Sequence, residues 1–341
     1  MSRQSPTIDI IIVNWNAGPQ IQECLLSLSR ATQRGYSLCR IVVVDNASSD
    51  GSAHELSCPE LPLTVIQNSS NRGFAAACNQ GASGSTADYL LFLNPDTKIH
   101  SDALTRSVEC MASPENANVG ILGVQLLEKG GEISRSCSRF PTTKSFVYKM
   151  SGLNKLFPQW FPDQFYLEWD HLHSRQVEQV MGAYFFVRES LFEQVGGFDE
   201  RFFLYFEEVD LSLRVRQAGG FTYYLATTQC SHAGGGSSRQ VKARRLFYSL
   251  QSRIFYGFKN FQTISAITLL LATLFIEPIS RIGHAIAQVS IKQIWEVVIA
   301  YLLLWQALPR ILGSQYLRKT ETLRLHLEVP HQEPVHRFQR L

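Results

Sequence analysis

Hydrophobic positions in the first hundred residues fall in short unbroken runs separated by polar, turn-forming segments. Residues 10–13 and 41–44 are such runs, rich in β-branched side chains. Runs of this kind suit strands buried on both faces of a parallel sheet. Between them, residues 19–30 place Ile21, Cys24, Leu25 and Leu28 at helical spacing, so the three segments predict a β-α-β unit. The pattern predicts a strand over 63–67, a helix over 75–81 and a strand over 89–93. This alternation predicts an open α/β sheet, whose ligands bind beyond the carboxyl ends of the strands. Beyond residue 119 the periodicity loosens, and 132–179, rich in aromatic, proline and basic residues, reads as irregular. Regular spacing then returns. It predicts a strand over 180–188, a short helix over 190–195 closed by Gly196-Gly197, a helix over 207–218 and a strand over 221–226.

The composition changes after that point. Residues 239–276 hold six basic side chains, from Arg239 to Lys259, and no acidic one, and 261–276 carry no charge. A second apolar stretch covers 297–308. A membrane-spanning helix needs about 20 apolar residues. Both stretches fall short, and Glu277 with Pro278 interrupts the first. A basic segment followed by apolar ones reads as a membrane-surface element; the other reading is a helix pair completing a core. A length of 341 residues suits a main domain over 8–240, in halves 8–118 and 119–240, a helical extension over 241–320 and a tail over 321–341. The net charge of +3 is too small to indicate nucleic acid. Seven cysteines, none in a Cys-x-x-Cys pair, exclude a zinc ribbon and a thioredoxin motif and suggest reduced thiols in the cytosol. The polar residues 1–7 lack the basic start of a signal peptide.

Five segments carry candidate chemistry. In Val44-Asp45-Asn46-Ala47-Ser48-Ser49-Asp50-Gly51-Ser52, an acid at a strand end can accept hydrogen bonds from a ligand; alternatively, Asp50 or Ser52 caps a following helix. In Asn71-Arg72-Gly73-Phe74-Ala75-Ala76-Ala77, small residues opening a helix let backbone N–H groups approach an anion, or they let the helix pack closely. In Leu93-Asn94-Pro95-Asp96, a strand delivers one carboxylate into a loop, enough for a hard cation already held by phosphates; a plain turn is the alternative. In Tyr205-Phe206-Glu207-Glu208-Val209-Asp210, acids sit at a helix start, where the dipole favours them and Asp210 can pair with Arg214. The preceding aromatics would desolvate a carboxylate and make it a better base. His232, before a glycine run, is a loop residue or a metal ligand.

The order of these segments, together with Val13-Asn14-Trp15-Asn16 and Gly196-Gly197-Phe198-Asp199, resembles a family 2 glycosyltransferase with the GT-A fold. Within that family it is similar to the bacterial rhamnosyltransferases of surface-polysaccharide assembly. The resemblance implies an open mixed sheet flanked by helices and a nucleotide-sugar donor, dTDP- or UDP-linked. It also implies a divalent cation, Mg²⁺ or Mn²⁺, and a saccharide or lipid-linked acceptor at the cytoplasmic face of the membrane. Asp45 matches the acid that binds the pyrimidine, and Asn14 and Asn46 the same pocket. Arg72 and Gly73 match the turn beside the diphosphate. Asp96 matches the last acid of the Asp-x-Asp metal motif, with Asn94 in place of the first acid, and His232 matches the second metal ligand. Glu208 matches the general base, usually Asp, with Glu207 beside it as the other candidate. A nucleotidyltransferase shares such a domain, but it begins with a basic glycine-rich loop that Asn14-Trp15-Asn16-Ala17-Gly18 lacks. A non-catalytic nucleotide-sugar-binding protein has no use for the paired glutamates.

Overall fold

A computed structural model describes residues 5–54, 56–234 and 241–327, with side chains to residue 313. The glycines at 235 and 236, Arg239 and most of the expected tail lie outside the described residues.

Strand β1 (Thr7–Asn14) leads through α1 (Gln20–Ser29) into the parallel strand β2 (Ser37–Asp45), the expected β-α-β unit. The chain continues through β3 (Leu63–Gln67), α2 (Phe74–Ala82), β4 (Tyr89–Leu93), β5 (Thr97–Ile99), α3 (Ala103–Ala112) and β6 (Val119–Leu127). Next come β7 (Cys137–Ser138), α4 (Thr143–Ser151), α5 (Leu153–Leu156), β8 (Arg175–Val177), β9 (Gln179–Val180), β10 (Tyr184–Arg188), α6 (Glu189–Gln194), α7 (Glu207–Gln217) and β11 (Phe221–His232). The main sheet runs β3-β2-β1-β4-β10-β6-β11-β5, with β8 also on β11. Strands β3, β2, β1 and β4 are parallel, and β10 lies antiparallel between β4 and β6. The sheet is therefore open and mixed.

Alternation along β1 builds two cores. Ile8, Ile10 and Ile12 pack with α1 and α3 on one face; Ile11 and Val13 pack with α2, α6 and α7 on the other. Continuous burial, with successive side chains facing opposite helix layers, is what a central parallel strand requires.

Several expectations need correction. Strand β6, buried over nearly its whole length, was not predicted. The region 132–179 is not wholly irregular: it holds α4, capped reciprocally by Thr142 and Ser145. The strand expected over 180–188 is broken into β9 and β10, and β11 runs past residue 226 to His232. Asp50 caps no helix; its carboxylate accepts from the N–H groups of Gly18 at 2.8 Å and Ser52 at 2.9 Å, tying two loops together.

After α8 (Lys242–Asn260), helix α9 (Thr263–Leu271) passes through a π turn (Ala272–Ile276) into α10 (Glu277–Ala287). Pro278 therefore does not end the helix. It sits in the first turn of α10, where the preceding π turn accommodates its missing N–H. Glu277 points inward and pairs with Arg253 of α8 and with Arg281. By length and composition, residues 263–287 and 291–313 are each long and apolar enough to cross a membrane, with mean hydropathies of 1.7 and 1.4 over an 18-residue window, contrary to the sequence expectation. The second forms most of α11 (Ile291–Leu327), which packs on α8.

Candidate active site

The carboxyl ends of β1, β2 and β3 meet where the sequence placed the pyrimidine pocket. Asn14 and Asp45 are register partners. Asn14 Nδ2 donates to Asp45 Oδ1 at 2.9 Å, and the Ser48 N–H donates to the other carboxylate oxygen at 3.2 Å. The Asp45 carboxylate is thus held from both sides at a strand end. Asn14, fully buried, orients it from beneath.

Asn46 is different. Its amide donates to Asn71 Oδ1 (2.9 Å) and to the Gly73 carbonyl (3.1 Å), and its carbonyl accepts from the Arg72 N–H (3.0 Å) and Asn68 Nδ2 (3.2 Å). Both donors and both acceptor positions are engaged. The Asn46 side chain therefore latches the 68–73 loop. Arg72 extends from that loop with its side chain exposed. The opening of α2 is also not the free anion site that its small residues suggested. The Phe74 N–H donates to the Phe203 carbonyl at 2.7 Å. A Cβ on Gly73 would lie 2.7 Å from that carbonyl oxygen, and its φ of +89° is a left-handed value. Gly73 is needed because the segment leading to the glutamate pair crosses directly over it.

Asp96 and His232 are brought together by β5 and β11, which pair antiparallel with Thr97 opposite His232. His232 Nε2 lies 3.3 Å from Asp96 Oδ1. Two ligands at right angles on a small divalent cation, each about 2.1 Å from it, stand about 3 Å apart. The carboxylate–imidazole pair therefore fits such an ion. Among the described residues no group of three or more His, Cys, Asp or Glu side chains gathers at metal-ligand spacing. The Asn94 N–H donates to the Ala183 carbonyl at 3.0 Å, which fixes this loop against the start of β10.

Glu207 and Glu208 differ in what they face. Glu207 is buried and lies close enough to Cys78 of α2 for its charge to help raise that thiol, after burial itself. Glu208 faces Gly182: a Cβ built there would lie 3.7 Å from the Cβ and Cγ of Glu208. Gly182 adjoins Ala183, and so the Asn94–Asp96 loop. Burial holds both carboxyls above the ordinary glutamate range, and Glu208 pushes Glu207 further up. One oxygen of each is buried without a hydrogen-bond partner. Just before them, Tyr205 and Phe206 both take left-handed backbone angles, φ 70° and 69°. Such strain costs of order 1–3 kcal/mol per residue and persists only where the surroundings enforce it.

Helix α8 does the enforcing. Ser252 Oγ donates to the Leu204 carbonyl at 2.8 Å, Tyr248 stacks on Phe203 with ring centroids 4.5 Å apart, and Tyr256 lies 5.5 Å from Phe206. Lys259 Nζ lies 2.7 Å from both Asp199 and Asp210. The predicted Asp210–Arg214 pair is present at 2.8 Å. Lys259 was missed because a lone lysine in a basic, apolar stretch gives no sign of its partners; only the acid of the Gly-Gly-Phe-Asp segment hinted that a cation was needed.

The family described as Glycosyl transferase family 2 matches residues 9–195, ending before the glutamate pair. An N-acetylglucosaminyl-diphospho-decaprenol L-rhamnosyltransferase of Mycobacterium tuberculosis is 26% identical over 258 residues, covering 70% of this chain and 80% of that protein. Rhamnosyltransferase WbbL of Escherichia coli K12 is 28% identical over 190 residues, covering 53% of this chain and 68% of that protein. Among solved structures, S. aureus TarS 1-349 is similar with a TM-score of 0.50 at 14% identity, covering 89% of this chain and 82% of that one. The mannosyltransferase PcManGT from Pyrobaculum calidifontis, in complex with GDP-Man and Mn2+, gives 0.50 at 16% identity, covering 95% and 81%. These two likenesses concern the fold, an open mixed α/β sheet of the GT-A kind. With the family match covering more than half of its length, the chain belongs to glycosyl transferase family 2 and is a glycosyltransferase.

Proposed function

We propose that this enzyme transfers a sugar, rhamnose first among the candidates, from a dTDP- or UDP-linked donor to a saccharide or lipid-linked acceptor with inversion at the anomeric carbon. The observation that carries this reading is the position of Glu208, opposite Gly182 and beside the loop that holds Asp96. Asp45 receives the pyrimidine N–H, and Arg72 lies toward the diphosphate. Asp96 and His232 would hold the divalent cation, whose chemistry there is to neutralise the leaving diphosphate. Glu208 removes the proton of the acceptor hydroxyl as its oxygen bonds to the anomeric carbon and the carbon–oxygen bond to the diphosphate breaks. No covalent enzyme intermediate is needed. Its facing of Gly182, against the burial of Glu207 beside Cys78, favours Glu208 over Glu207 as the base.

The donor-binding half 8–118, the catalytic half 119–240 and the extension from 241 are proposed as working units, with acceptor choice in 132–179. The enzyme is proposed to work at the cytoplasmic face of the inner membrane, peripheral or shallow, and the extension supports the membrane attachment itself. Within the extension α9 and α11 pack inward on α8, while Ile264, Ile279, Ile291 and Trp295 stand 81%, 73%, 72% and 61% exposed. Large exposed apolar faces mark interaction surfaces. Clean recovery in the soluble fraction without detergent would overturn this attachment.

A panel of nucleotide-sugars with Mg²⁺ or Mn²⁺ tests the donor assignment. The expected result is thermal stabilisation and release of nucleoside diphosphate with dTDP-rhamnose above all others. Asp96→Ala is expected to abolish the dependence of donor binding on the cation; unchanged affinity in chelator would remove Asp96 from the metal site.

A further inference from the structure

Glycosyl transfer leaves one apolar surface of the catalytic domain unexplained. Leu156, Phe157 and Trp160, at the end of α5 and just after it, stand 70%, 55% and 80% exposed. They are held in place by the backbone around them. Helix α4 ends at Gly152 in a left-handed turn, φ 76°. The Phe157 carbonyl accepts from the N–H groups of Trp160 at 3.1 Å and Phe161 at 3.0 Å. Asn154 Nδ2 donates to Asp163 Oδ2 at 2.7 Å and closes the base of the segment. Phe161 packs edge-on against Tyr148 of α4, with ring centroids 4.6 Å apart. The fold thus presents three large apolar side chains outward on a hydrogen-bonded tip, and exposed apolar surface of this kind marks an interaction site.

The surroundings select the occupant. Residues 140–162 contain Lys144, Lys149 and Lys155, all exposed, and no acid. A second copy docked on this surface about a twofold axis would bring the same lysines together. A saccharide needs hydrogen-bonding partners, and between Leu156 and Phe161 the tip offers one polar side chain, Gln159. Lysines around Trp, Phe and Leu match the surface of an anionic bilayer, where amphipathic rings lie at head-group depth and cations meet the lipid charge. The tip is also joined to the extension. Phe146 and Met150 of α4 share a buried cluster with Leu269 of α9 and Ala272 of the π turn. The same Phe146 ring lies 5.9 Å from that of Phe206, the strained residue before Glu207. One helix therefore connects the tip both to the extension and to the turn that carries the glutamate pair.

We propose that residues 153–161 are a second membrane contact, on the catalytic domain itself. Leu156, Phe157 and Trp160 enter the interfacial layer of an anionic bilayer, and Lys144, Lys149 and Lys155 meet its head groups. This widens the proposed membrane attachment beyond the extension and rests on it. With two contacts joined through α4, the catalytic domain is held at a fixed orientation to the bilayer instead of swinging from the extension alone.

Vesicles of phosphatidylglycerol with phosphatidylethanolamine, and vesicles of phosphatidylcholine alone, serve as probes for the full chain. Replacing the three apolar side chains together (Leu156→Ser, Phe157→Ser, Trp160→Ser) is expected to weaken partition onto the anionic vesicles at least tenfold. The melting temperature should be unchanged, because all three side chains are exposed. Replacing the three lysines together (Lys144→Ala, Lys149→Ala, Lys155→Ala) is expected to weaken partition onto anionic vesicles and to leave that onto phosphatidylcholine unaltered. Trp160→Phe keeps an apolar ring and removes one emitter, so it gives a reading that needs no loss of binding. On anionic vesicles whose lipids carry bromine on the acyl chains, the wild type should lose a component of tryptophan fluorescence that Trp160→Phe lacks. Equal partition of the wild type and the serine variant, with Trp160 unquenched, overturns the tip and leaves attachment by the extension standing. Wild-type protein that stays off both kinds of vesicle overturns the attachment reading and this proposal with it. A wild-type dimer that the serine variant dissolves, at unchanged partition, gives the surface to a second copy and overturns the bilayer as occupant.

Discussion

Glu208→Gln is expected to lower turnover by about 10²–10⁴-fold, the usual contribution of a positioned general base, with donor affinity at the wild-type level. Glutamine keeps the size of the side chain beside Gly182 but cannot take a proton. Burial holds the Glu208 carboxyl above its ordinary range. The wild-type rate should therefore rise with pH along a limb lying above the ordinary glutamate value of about 4.3, and the variant should lose that limb. Stability supplies an independent check. A carboxyl whose folded-state pKa is raised favours the folded state most when protonated. Its contribution is full below the unfolded pKa and is lost as pH rises through the folded value. At neutral pH the wild type carries the cost of a buried charge that glutamine does not. The variant should melt at the same temperature or higher while losing activity, which separates a lost base from a damaged fold. Near-normal turnover in Glu208→Gln would falsify the assignment and leave Glu207 as the candidate.

The sheet was readable where its strands were continuous apolar runs. Residues 10–13, 41–44 and 89–93 lie in strands buried on both faces, which leave an unmistakable hydrophobic run, whereas 63–67 forms the half-exposed edge strand β3. Strand β6 escaped because Gly120, Gly123 and Gln125 interrupt its run. Those glycines are there for packing: a Cβ on Gly120 would lie 2.5 Å from Leu191, and one on Gly123 would lie 2.8 Å from Val180. Helix α4 escaped because its cap pairs Thr142 with Ser145 rather than with an acid. Asp96 with His232, and Glu208 with Gly182, are contacts between distant segments, so single-sequence periodicity could not pair them. The resemblance to a family placed them in one site, and the β5–β11 register shows how the first pair meets. Asn46 shows the opposite case: it stands beside Asp45 in sequence, but its side-chain hydrogen bonds all go to the 68–73 loop.

Lys259→Met is expected to produce the largest loss of stability, together with a fall in turnover that leaves donor binding alone. Removing one partner from a buried ion pair costs about 3–5 kcal/mol. Arg201 and Arg214 remain on the two acids, so the lower end of that range is expected. Burial alone would raise the Asp199 carboxyl, but hydrogen bonds and charge from Arg201 and Lys259 overcome it and hold the group well below the ordinary carboxylate range. That stabilisation is fully present above the unfolded carboxylate pKa, about 4, and is lost as pH falls toward the folded value. The melting temperature of the variant should therefore depend less on acidification below pH 5 than that of the wild type. The catalytic effect follows from position. Lys259 ties α8 to Asp210 on the helix that begins with Glu207 and Glu208, and α8 also holds the strained Tyr205–Phe206 turn. A displacement of about 1 Å at a reacting group can lower a rate of order 10²-fold, so kcat should fall by one to two orders of magnitude at unchanged donor KM. Lys259→Arg, which keeps the charge between the two acids, should recover most of the turnover and of the acid dependence. If Lys259→Met loses stability while kcat stays at the wild-type level, α8 anchors the extension without positioning the base.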